Sequence, residues 1–82
     1  MQGAHLYIID VSHHPAEGDD PAVFLAVNDA LGLVTEALSL DVLQERVAQI
    51  APELFALNVL PGLRAELAAL PARFQLRIPL PA

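Results

Sequence analysis

His5 to Ser12, HLYIIDVS, is rich in β-formers. It places Leu6, Ile8 and Asp10 on one face and Tyr7, Ile9 and Val11 on the other. Apolar side chains on both faces predict an interior strand, buried on both sides at its middle. HHPAEGDDP, from His13 to Pro21, cannot continue a ladder: it holds two prolines, a glycine and three acidic residues. It predicts a solvated hairpin loop. Ala22 to Asn28, AVFLAVN, is the second predicted strand, and Asn28 to Gly32 the next turn, with Gly32 free to take a positive φ. Leu33 to Leu38 is the third strand, closing a three-stranded antiparallel meander.

The period then changes. Leu40, Leu43, Val47, Ile50 and Leu54 recur at spacings of three and four, the stripe of an amphipathic helix. Ser39 stands at its N-cap, and Asp41 lies in the first turn, where the helix dipole favours negative charge. Pro52 lies inside the pattern and predicts a kink or restart near Ala51, with Asn58 as a C-terminal residue. Beyond Pro61-Gly62, the residues Leu63, Leu67 and Leu70 predict a short helix over Leu63 to Ala69. Ala72 to Leu80 alternates again, with Phe74, Leu76 and Ile78 inward and Arg73, Gln75 and Arg77 outward. Pro79 and Pro81 blunt its end, as at an edge strand. The fold class is therefore α+β, in the order β-β-β-α-(α)-β. One mostly antiparallel sheet packs against one or two helices on one face, and the last strand runs parallel to the first.

Composition narrows the function more than the fold. At 82 residues the chain is a single domain, of a size that hides only roughly 60% of its unfolded surface. Apolar residues make up 55% of it, so apolar surface is left over and a homo-oligomer, a dimer or higher, is expected. The net charge is −6, with four arginines and no lysine, which argues against nucleic-acid binding and suits a basic protein partner. There is no cysteine, so disulfides and thiolate metal sites are excluded. No apolar run is long enough to span a membrane, and the N-terminus lacks the pattern of a signal peptide, so a cytoplasmic protein is expected.

Candidate chemistry is sparse. His13 and His14 beside Asp10, Glu17, Asp19 and Asp20 suggest a metal site, but neighbours in an extended segment point opposite ways and the spacing matches no zinc pattern. Asp10 and Glu36 resemble the carboxylates of magnesium-dependent nucleases, yet two-metal chemistry needs several convergent acids. Ser12-His13 lacks an orienting third group. No catalytic, cofactor or metal residue is assigned, and an enzyme is not expected. Arg73 and Arg77, on the outer face of the last strand, protect an edge or mark a surface for self-association. Leu60, Leu63 and Leu67 form a second apolar segment that exceeds what one sheet can cover, and an exposed patch there would mark an interface.

Asp29-Ala30-Leu31-Gly32, then Val34-Thr35-Glu36, then Ser39-Leu40-x-x-Leu43, form a turn, strand and capped helix that resemble the HicB-like antitoxins. Ala51-Pro52-Glu53-Leu54 and Leu57-Asn58 resemble a HicB-related subfamily of unassigned function. The resemblance implies a truncated ribonuclease-H-like fold without nuclease activity, which neutralises a small basic ribonuclease toxin by covering its surface. Many members append a DNA-binding domain. The expectation here is one HicB-like domain over residues 1–82 with no such addition. The resulting expectation is an antitoxin-type protein-binding module; the alternative is an orphan structural or regulatory domain of the same fold, with no toxin partner.

Overall fold

The computed structural model describes residues 3–79. Four strands form one sheet in the order β3-β2-β1-β4: β1 His5–His14, β2 Val23–Asn28, β3 Leu33–Ala37 and β4 Ala72–Arg77. The meander β1-β2-β3 is antiparallel, and β4 returns parallel to β1, with Tyr7 opposite Phe74 and Ile9 opposite Leu76. The α+β order expected from the sequence is the order found. The first strand runs two residues further than expected, because Val23 still pairs with His14. The last strand ends at Arg77, leaving Ile78 outside the ladder and exposed. Its expected end at Leu80, with Pro81 beyond, lies outside the described residues.

Helix α1, Leu40–Leu54, begins where Ser39 Oγ accepts from the Val42 amide at 3.3 Å. It stays helical through Pro52, where the sequence predicts a kink or restart, so the chain does not restart there. Proline removes one backbone donor there, but Pro52 is exposed while Ala51 and Phe55 on either side are buried, so packing keeps the segment helical. The register loosens later, in a π-helical turn at Phe55–Val59 and a 3₁₀ turn at Leu60–Gly62. The expected helix over Leu63 to Ala69 shrinks to α2, Ala65–Ala68, because Leu63 and Arg64 are extended.

One face of the sheet meets α1. Its core is Ile9, Val11, Ala26, Leu33 and Ala37 from the strands, Leu31 from the turn, and Leu43, Val47, Ala51 and Phe55 along the helix side. The helix stripe is therefore 43-47-51-55, while Leu40, Ile50 and Leu54 flank it half-buried. Tyr7, Phe55 and Phe74 close one end, with ring centroids 5.8 to 6.5 Å apart. Burying that set of side chains is the main stabilising term, at roughly 1.5–3 kcal/mol for each large one. The opposite face holds no helix. The burial expected on both sides of β1 at its middle is complete on one only: Ile9 is fully buried, whereas Ile8 is half-buried.

Candidate interaction surface

The β2–β3 turn is locked by two asparagines. Asn28 Nδ2 donates to the Ile8 carbonyl at 2.8 Å, while its Oδ1 accepts from the Leu31 amide at 2.9 Å. Asn58, in the π-helical turn, donates to the Leu31 carbonyl at 2.8 Å. Gly32 closes the turn with φ +71°, and a Cβ there would sit 3.3 Å from Asn58 Nδ2. Turn, sheet and helix end are thus pinned at one point. The Asp-x-x-Gly and Leu-Asn segments of the sequence meet here, in a structural role.

The uncovered face of the sheet is where surface chemistry collects. Register lines up Arg77, Asp10, Val27 and Val34 as one row across all four strands. Ser12, Leu25 and Glu36 form the next row along the strands, and Ile8 with Gln75, then Leu6 with Arg73, the rows before it. Val34 is 71% exposed and Leu6 little less, while Ile8, Leu25 and Val27 are half-buried by their lateral neighbours. This is a broad apolar surface with charge on the outer strands, at Glu36, Arg73 and Arg77, and at Asp10 on β1 within it.

Arg77 Nε and Nη2 both reach Asp10 Oδ1 at 2.6 Å, across the β1–β4 pair. The hydrogen bond first, and the carboxylate charge second, hold the guanidinium above its ordinary pKa. Both side chains stay largely exposed, so the pair fixes orientation more than it stabilises. Arg73 shares that face, one turn of the alternation beyond Gln75, and makes no ion pair among the described residues. Arg73 and Arg77 therefore stand on the face of β4 and not along its open edge.

Leu60 and Leu63 turn inward and pack half-buried against the core. Leu67 is 41% exposed, and its carbonyl accepts from His5 Nε2 at 2.7 Å. The structure does not bring these leucines together with Arg73 and Arg77. The more exposed apolar residues are Leu57, Val34, Leu38 and Leu6. Two of these, Leu6 and Val34, belong to the uncovered face, which the sequence reading did not single out; strand alternation is the signal that could have grouped them.

The polar clusters separate. His13 lies over Phe24 on the helix side, with centroids 4.7 Å apart, while His14 Nε2 bonds Ser12 Oγ at 3.0 Å on the other. Among the described residues no three His, Asp or Glu side chains are grouped to hold a metal. Asp10 and Glu36 share a face but stand on β1 and β3 with β2 between them and one residue pair out of row, about 12 Å apart by strand geometry. The Ser12–His14 contact has no third group to orient it. Val11, Phe24, Leu40 and Ile78 line a shallow recess of about 580 Å³ where β1 outruns β4.

No helix of the described residues is long and apolar enough to cross a membrane. Neither a curated protein nor a solved structure matches the chain. The family model described as a domain of unknown function, DUF1902, matches residues 7–75, a stretch that runs from the first strand to the last and takes in the asparagine-locked turn and α1. The chain belongs to that family.

Proposed function

We propose that this domain acts by contact, as a HicB-like, antitoxin-type module that binds a small basic protein. A ribonuclease toxin is the partner class its sequence resemblance implies. The observation that carries this reading is the state of its acidic groups. The chain has ten Asp and Glu residues, and among the described residues only Asp10 is in an ion pair. The other nine are exposed.

Asp41, Glu45 and Glu53 follow one another along the outward side of α1 at multiples of four residues, with Gln49 between. Like charges four apart on a helix weaken it by a few tenths of a kcal/mol, roughly 0.2–0.5 per pair. A basic surface laid along α1 would relieve that repulsion and be steered towards it.

The test is capture of the tagged chain from its own host's lysate at low salt. A small basic protein is expected in near-equal amount, released at high salt and lost from the Asp41→Asn, Glu45→Gln, Glu53→Gln triple variant. Recovery of the chain without such a partner overturns the reading and leaves an orphan domain.

A further inference from the structure

Two of the four arginines and two of the ten acids, Arg73, Arg77, Asp10 and Glu36, lie on the uncovered sheet face. Their charges cancel. The whole net charge of −6 therefore belongs to the rest of the molecule. The remaining surface as a whole repels a second copy, whereas this face carries no net charge and is also where Leu6, Ile8, Leu25, Val27 and Val34 leave apolar surface open to water. We propose that the uncovered face binds the same face of a second copy, forming a two-fold dimer of stacked sheets.

The charges also choose the axis. The arginines stand on β4 at one edge of the sheet and Glu36 on β3 at the other. A two-fold axis along the strands lays β4 of one copy over β3 of the other. Arg77 then faces Val34 of the second copy, with Glu36 one residue pair further along, within reach of an arginine side chain. An axis across the strands would stack the arginines of the two β4 strands on one another, and like charges so placed repel. Aligned sheets pack about 10 Å apart with strands some 30° off parallel, a separation that side chains of valine and leucine size fill. The Arg77–Asp10 pair then bridges to a second carboxylate. The acidic side of α1 points outward from both copies, so this contact and the binding of a basic protein use separate surfaces.

Sedimentation velocity on the full chain over a concentration series tests the proposal. A dimer is expected. Val34→Asp should raise its dissociation constant by roughly 30-fold or more. Leu57→Asp, which alters a residue equally exposed but off the sheet, should leave it unchanged. Because the chain has no cysteine, the double variant Val34→Cys, Arg77→Cys reports the axis: a short bis-maleimide, which bridges thiols that a sheet separation of about 10 Å holds too far apart for a disulfide, should link two copies. A thermal melt of each variant confirms that it is folded. A monomer at every concentration overturns the proposal, as does a dimer that Val34→Asp leaves intact, which would point to pairing of β4 edges. Dimers that do not cross-link through the double variant overturn the axis.

Discussion

The two faces of the sheet are built from the same residue types and end in opposite conditions. On the helix side, Ile9, Ala26, Leu33 and Ala37 meet Leu43 and Val47, and all six are buried. On the other side, Ile8, Leu25, Val27 and Val34 meet water. A strand cannot tell these faces apart, because alternation assigns a side chain to a face but not a face to a helix. One amphipathic helix crossing from β3 to β4 covers one side only. The difference teaches that the apolar content of a small sheet is a poor measure of its core. What decides is how many faces the rest of the chain can reach.

The sharpest way to break the comparison is to remove bulk from the covered face. Leu43 is fully buried at the centre of the stripe. Leu43→Ala should destabilise the fold by about 2–5 kcal/mol in urea unfolding, through lost transfer energy and the cavity left behind. The same change at Leu6 should cost much less, since most of that side chain already touches water. Equal losses at the two sites in dilute, monomeric protein would mean that the chain itself covers both faces.

The next effect concerns the point where the helix side is locked to the sheet. Gly32 holds φ +71° with Asn58 close above it. Gly18, in the β1–β2 loop, has φ +58° and open space around it. Alanine at either site meets the left-handed penalty, about 1–2 kcal/mol, but only at Gly32 does it also press on a hydrogen-bonded neighbour. Thermal unfolding should therefore rank Gly32→Ala as more damaging than Gly18→Ala. Asn58→Ala should cost about 1–2 kcal/mol by leaving the Leu31 carbonyl without its donor.

Much of this was legible in the sequence, and the gaps have physical causes. Four strands, the Ser39 cap and the α1 stripe follow from period and capping alone. Ala51 and Phe55 were missed as core: alanine carries little apolar signal, and Phe55 lies beyond a proline that local rules treat as a break. Packing overrides that rule here. Asn58 looked like a helix end, and its bond to Leu31 spans 27 residues, a separation at which spacing carries no information. Of the candidate surface, Arg73 and Arg77 were placed on the right face of β4. The larger apolar surface beside them went unread because it depends on which side the helix takes.

The smallest effect should come from the ion pair on the uncovered face. Arg77 and Asp10 are joined by two short contacts, yet their side chains are 70% and 56% exposed. Water and salt screen such a pair, and ordering two long side chains offsets much of its attraction. Arginine is charged throughout the neutral range at its ordinary pKa, and the hydrogen bond to Asp10 raises that of Arg77 further. Any stability linked to this raised pKa is fully present below the ordinary arginine value and is lost only as pH rises through the higher folded value. The arginine therefore adds no pH dependence near neutrality. In protein dilute enough to be monomeric, Arg77→Gln should shift the melting temperature little, and added salt should shrink the shift further. A large, salt-insensitive loss would mean that the pair is shielded from water, as it would be beneath a second sheet. Melting the variant at dilute and concentrated protein separates the two cases: a loss that grows with concentration belongs to the dimer, and a constant one to the fold.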